Sequence, residues 1–268
     1  MGIGFAALLL PLWGITLMVP LLGSSPAAIE TPAGMVALVL LRTFLHTGLF
    51  IVAHDALHRS LLPRRPLLND AIGRLALLLY AFLPYERCRA NHLLHHHRPG
   101  ERQDPDFHDG RRRDPLRWYL RFLGGYLNPG QLCALLVVWC LLLLVVSGGN
   151  PLGGAARFGI VAILPLVLSS MQLFFFGTYL PHRQSGADAG PHRVGTSALP
   201  PWLSLLTCYH FGYHREHHLA PDVAWYGLPR LRRALSLDRI NNSNPWEHAG
   251  NRGAELERAG AGGGTQGV

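Results

Sequence analysis

Four apolar stretches set the limits on what this chain can become. Met1–Leu22 is long and almost uncharged. Gly34–Ala53 is apolar apart from Arg42 and His46. Leu132–Val146 reads LCALLVVWCLLLLVV, and Phe158–Leu180 is apolar throughout with Pro165 inside it. Each approaches the roughly 20 residues that a helix needs to cross a bilayer, the third being the shortest. Met1–Leu22 lacks the basic start of a signal peptide, so a retained helix is expected there. Ala71–Leu83 is apolar but short and reads as an interfacial or re-entrant segment. The expectation is an all-α integral membrane protein with about four transmembrane helices and a cytoplasmic helical cap.

Charge supplies the orientation. Charged residues make up 15% of the 268 residues, below the roughly 25% of a soluble domain. All 24 basic residues are arginine, and the net charge is +8. Such a balance suits an anionic partner, either nucleic acid or lipid. Of the arginines, 22 lie in 54–130 and 181–268. The excess of positive charge marks these regions as cytoplasmic, with both termini inside a bacterial inner membrane. The run Arg111-Arg112-Arg113 is then expected as a solvated face near lipid headgroups, which weakens the nucleic-acid reading. Cys88, Cys133, Cys140 and Cys208 have no zinc or redox spacing and are expected reduced. Residues 1–240 read as one membrane domain, and 241–268, rich in Gly, Asn and Ala, as a disordered tail.

Eight of the 15 histidines fall in three clusters. His54-Asp-Ala-Leu-His58 is an HxxxH. His92-Leu-Leu-His95-His96 and His214-Arg-Glu-His217-His218 are both HxxHH. Positions i, i+3 and i+4 share one helix face, so each box aims two or three imidazoles at one point. By the topology above, all three lie at the inner face of the membrane.

Imidazole suits zinc, copper, iron and nickel. A structural zinc site takes four ligands, so eight are too many for one ion. The chain has no HExxH of a zinc hydrolase and no ExxH of the carboxylate di-iron proteins. Neutral imidazoles around two iron ions leave positions for O2, and oxygen chemistry on a lipid-soluble substrate fits that arrangement.

The three boxes resemble those of the membrane di-iron desaturase and hydroxylase superfamily. Longer stretches are more specific: His54–His58, Asp104-Pro-Asp-Phe107, Phe176-Gly-Thr-Tyr-Leu-Pro-His-Arg183, and residues 203–218 with the third box. These are similar to bacterial β-carotene ketolases, the carotenoid 4-ketolases, over roughly residues 40–230. The first box departs at Leu57 and Arg59, where Met and Gly would be expected; neither is a ligand. The resemblance implies oxidation of C4 of a β-ionone ring by two hydroxylations and loss of water. The substrate would be β-carotene or zeaxanthin, with two Fe2+ ions, O2 as cosubstrate and an external electron donor. The alternatives are a carotenoid ring hydroxylase, an acyl-lipid desaturase and, outside enzymes, a His-rich metal transporter. A transporter would place its ligands near the bilayer midplane rather than at one interface.

The resemblance assigns ligand roles to His54, His58, His92, His95, His96, His214, His217 and His218. His182, at the end of the fourth apolar stretch, is a ninth candidate; a helix-end residue stabilised by the dipole is the alternative. His192 and His210 are weaker candidates, and His97, His108 and His248 are expected in solvent. His46, inside the bilayer, either lines a substrate tunnel or is a hydrogen-bonded core residue. Asp55, Asp104, Asp106 and Glu216 stand where a carboxylate could take the second ring N–H of a ligand. No reductase motif is present, so electrons are expected from a partner such as ferredoxin, which the basic face would suit.

Overall fold

The computed structural model describes residues 2–23, 26–108, 114–147, 151–183 and 194–242. The Arg111–Arg113 run, His192, His248 and, of the tail 241–268 expected to be disordered, residues 243–268 lie outside the described residues, whereas Asn241 and Asn242 end a helix. The described residues are helices and loops, without a strand among them. They fall into two compact units, one ending at Leu228 and a second beginning at Pro229.

Helix α1 (Gly2–Leu21) and α2 (Pro32–Leu57) form an antiparallel pair. Thr31 caps α2, its hydroxyl accepting from the Gly34 N–H at 3.1 Å, with Pro32 at the first helical position. Together with α6 (Pro129–Ser147) and the long segment Leu152–His182, they are, among the described residues, the four helices long and apolar enough to cross a membrane. The outer face of α6 exposes Leu136, Val137, Leu141, Leu144 and Val145. In water that face would be an aggregation site; against lipid it needs no cover.

α2 is the axis of the fold and packs against α1, α3 (Pro66–Ala81) and α8 (Leu164–Leu173). Its C-terminal carbonyls need partners once the helix stops. The Ala56 carbonyl accepts from Asn69 Nδ2 at 2.8 Å and from the Tyr85 hydroxyl at 2.9 Å. The Leu57 carbonyl accepts from Arg89 at 3.1 Å. These bonds tie the end of α2, where the first box sits, to α3 and α4 (Tyr85–His97). α3 and α4 meet at a 99° bend. Phe82, in the left-handed region at φ 56°, makes that turn.

The segment 151–182 is not a plain α-helix. α7 (Pro151–Phe158), α8 and α9 (Leu180–His182) are separated by π-helical stretches at Gly159–Ile163 and Phe174–Tyr179. Pro165 has no N–H to direct at the carbonyl four residues earlier, that of Val161. Arg42, buried in α2, donates to that carbonyl from Nε at 2.6 Å. Its Nη1 reaches the Trp13 carbonyl at 3.0 Å and the Thr16 hydroxyl at 3.2 Å. The arginine noted inside the second apolar stretch thus joins three helices from within. The remaining elements are α5 (Pro115–Tyr126), α10 (Pro201–Cys208), α11 (His214–Leu219) and α12 (Leu228–Asn242). All four cysteines are free; Cys88 and Cys208 are buried, Cys133 and Cys140 exposed.

Candidate metal centre

Four elements converge at one end of α2. His54 sits in its last turn and His58 caps it. α4 presents His92, His95 and His96, α9 ends on His182, and α11 opens on His214 and carries His217 and His218. One ring nitrogen from each of His54, His58, His92 and His217 lies within 4.8 Å of the other three, and the same holds for His95, His182, His214 and His218. His96 stands between the groups: its Nε2 is 2.9 Å from that of His217, and its ring stacks on His218 at 4.1 Å. The structure therefore brings all nine expected histidines into one cluster with two centres.

The nitrogen geometry fits cations better than hydrogen bonds. The Nε2 atoms of His95, His214 and His218 form a triangle with edges of 3.1, 3.2 and 3.4 Å. A neutral ring nitrogen holds either a proton or a lone pair, so three edges cannot all be hydrogen bonds. A cation facing three lone pairs satisfies them together. His58 and His92 approach to 2.7 Å, and His54 and His217 to 3.1 Å, in the other group. Burial, reinforced by the neighbouring rings, holds His214, His217 and His218 well below the ordinary histidine value. Burial and Arg89 lower His58 to about 4. These four rings are thus kept neutral, which is the form that ligates metal.

The four carboxylates differ in what they touch. Both oxygens of Asp104 face His95 Nδ1, at 2.9 and 3.0 Å. That bond fixes the proton on Nδ1 and turns the Nε2 lone pair toward the triangle. Asp104 also accepts from the Gly100 N–H at 2.8 Å and the Asp106 N–H at 2.9 Å. Asp106 accepts instead from the Tyr126 hydroxyl at 2.6 Å, and burial pushes it up to about 6. Asp55 lies 3.7 Å from His54 Nδ1, beyond hydrogen-bond reach, and faces the Trp225 N–H at 3.4 Å. Glu216 accepts from Thr196 at 2.5 Å and from Arg215 at 3.4 Å. Of the four sequence candidates, Asp104 is the one hydrogen-bonded to a box histidine among the described residues.

Other histidines separate by environment. His97 is exposed, as expected. His108 is not: it is buried at 3% exposure, its ring 4.0 Å from Phe107 and 4.8 Å from Trp118. The aromatic wall built by α5 draws it out of solvent, which corrects the sequence expectation. His210 lies against the rings of Tyr213 and Trp225, away from the nine-ring cluster. His46 has both nitrogens engaged, accepting from Trp13 Nε1 at 3.0 Å and bonded to the Tyr80 carbonyl at 2.9 Å. It is a satisfied core residue, and it also lines a smaller cavity of about 240 Å³ with Arg42.

A larger cavity of about 360 Å³ abuts the cluster. His92, His214 and Asp106 form part of its wall, and Phe50, Leu83, Leu135, Leu173 and Phe211 form much of the rest. Leu132 and Leu136, both exposed on α6, line it too, so the cavity reaches the exposed apolar face of α6. Gly177 matters here because a Cβ would come within 2.4 Å of the Phe211 ring. Phe211 in turn packs on His54 at 4.7 Å. Sequence reading missed the wall and Tyr126. Phe50, Leu83, Leu135, Leu173 and Phe211 are ordinary apolar positions scattered over three helices and two connecting segments, and Tyr126 carries no motif.

Comparison with known proteins accounts for this arrangement. The model of the family described as fatty acid desaturase matches residues 30–136 and 130–240. A protein named β-carotene ketolase from a Paracoccus strain is 44% identical over 193 residues, covering 71% of this chain and 76% of the relative. A β-carotene ketolase of Haematococcus lacustris is 38% identical over 222 residues, 80% of this chain and 65% of the relative. The zeaxanthin 4-ketolase of Chlamydomonas reinhardtii is 40% identical over 194 residues, 71% of this chain and 42% of that protein. With its histidine clusters, its four bilayer-length helices and these relatives, the chain belongs to the fatty acid desaturase family of membrane enzymes, in the group that carries the ketolase name.

Proposed function

We propose that the chain is an O2-dependent carotenoid 4-ketolase built on two iron ions. The observation that carries the reading is the junction of nine converging imidazoles with an apolar cavity that reaches the exposed apolar face of α6. One iron would be held by His54, His58, His92 and His217, the other by His95, His182, His214 and His218, with His96 between them. When bound, the metal pair supplies activation of O2 beside the substrate carbon. Each oxygenation converts CH2, O2, two electrons and two protons into CHOH and water. A second at the same carbon gives a gem-diol, which loses water to the ketone.

The protein's share is placement. Phe50, Leu83 and Phe211 make a dry slot for a β-ionone ring, and β-carotene and zeaxanthin are the candidate substrates. His92 and His214 in the wall bring the ring edge to the cluster. Asp104 holds the His95 proton on Nδ1 and so fixes that ring's orientation. The domain spans 1–240 in this reading, with both termini and all three boxes on the cytoplasmic side of a bacterial inner membrane. Electrons come from a one-electron carrier such as ferredoxin, docked on the basic face.

Expression in a host that accumulates β-carotene tests the reading. Echinenone and canthaxanthin should form, and the purified chain should carry about two irons. Hydroxylation at C3 without ketone would make it a ring hydroxylase. A single zinc and no iron after iron-replete growth would end the oxygenase reading.

A further inference from the structure

Oxidising one carbon twice raises a question of retention. After the first oxygenation the ring carries a hydroxyl, and the cavity around it is almost wholly apolar. A hydroxyl without a partner in such surroundings is driven out toward water. The cavity therefore needs a polar group near the histidines, and one carboxylate lies in its wall among the described residues, Asp106.

The environment of Asp106 is built rather than incidental. It is 8% exposed, and its wall position is shared with His92 and His214. Its N–H donates to Asp104 at 2.9 Å, the same carboxylate that holds His95. Its carbonyl accepts from Trp118 Nε1 at 2.8 Å. One bridge, Asp104, thus fixes Asp106 relative to the histidine cluster. Oδ1 takes the Tyr126 hydroxyl at 2.6 Å, while Oδ2 takes no hydrogen bond among the described residues. Among the other wall hydroxyls, Tyr119 and Ser170 bond each other at 2.6 Å and Tyr80 lies 3.3 Å from Ser169; Thr178 is the remaining one, and it lacks the charge that strengthens such a bond.

We propose that Asp106 Oδ2, steadied by Tyr126, accepts the hydrogen bond of a hydroxyl on the ring under oxidation and holds that ring for the second oxygenation. The ligand class is a secondary ring alcohol: the 4-hydroxy product of the first step, or a ring that arrives already hydroxylated at the next carbon. This rests on the ketolase reading above. It makes Asp106 a substrate-binding residue, distinct from Asp104, which acts through His95.

Two measurements test it. Detergent-purified protein without an electron donor should bind 4-hydroxy-β-ionone about tenfold tighter than β-ionone, the worth of a hydrogen bond to a charged group. The double variant Asp106→Leu/Tyr126→Phe, which leaves no orphaned hydroxyl, should lose that preference. In the β-carotene host it should shift products from ketone toward 4-hydroxy carotenoid severalfold, with iron content kept. Equal affinity for the two fragments in the unaltered protein overturns the proposal, whether or not the variant folds. So does an unchanged hydroxy-to-keto ratio in a variant that retains iron. If the unaltered protein forms no 4-oxygenated ring from β-carotene, the ketolase reading fails. If it does form ketone yet binds both fragments alike, the hydroxyl-holding role alone fails.

Discussion

Asp104 shows how much one carboxylate can settle. It accepts three N–H groups, from His95, Gly100 and Asp106, and is 1% exposed. Asp104→Asn cannot reproduce this, because its amide turns a donor toward one of those donors. Activity or iron affinity should fall roughly 10–100-fold, the range for removing a ligand's supporting partner; metal analysis and pigment yield on one sample check it. His95→Ala and His217→Ala should abolish ketone formation. His182→Ala should do the same and lower iron content, because His182 shares a group with three other rings; wild-type values for both would remove it from the site. The neutral histidines also set a pH limit. His58 falls to about 4 from an ordinary value of 6.5, and His214, His217 and His218 are lowered too. A depressed folded value stabilises the protein above the unfolded one, and that stability drains away as pH drops. Chelated protein in detergent should therefore lose thermal stability steadily between about pH 6.5 and 4, the window between the unfolded histidine value and that of His58. A flat profile would mean that the rings are not held neutral.

At the scale of elements, regular spacing was readable and long-range pairing was not. HxxxH and HxxHH announce a shared helix face from sequence alone, and the ends of α2, α4 and α11 carry those faces to one place. The four apolar stretches were readable for the same reason, since length against bilayer thickness is local information. Nothing local signalled that Arg42 would serve the carbonyl freed by Pro165, or that Tyr126 would meet Asp106. Nor did His108, set between Phe107 and Asp109, announce the aromatic wall of Trp118 that buries it. Arg42→Leu leaves the Val161 carbonyl buried without that donor, a loss of about 1–3 kcal/mol for the unmet group. Its melting temperature should drop while any iron-loaded fraction keeps its product pattern. Gly177→Leu should be harsher for chemistry than for folding, because the added atoms push Phe211 against His54.

At the scale of the molecule, the asymmetry of arginine argues for a fixed orientation. Reporter fusions after Gly149 should read as periplasmic and those after Val268 as cytoplasmic. A cytoplasmic signal at Gly149 would overturn the four-crossing topology. The opening of the large cavity beside Leu132 and Leu136 has a kinetic meaning as well. On the ketolase reading, a carotenoid entering there would arrive by diffusion within the sheet of lipid rather than through bulk water. The quantity that saturates the enzyme is then pigment per lipid, not pigment per litre. Diluting reconstituted vesicles with buffer should leave the rate per enzyme unchanged, whereas adding inert phospholipid to the same bilayers should slow it in proportion.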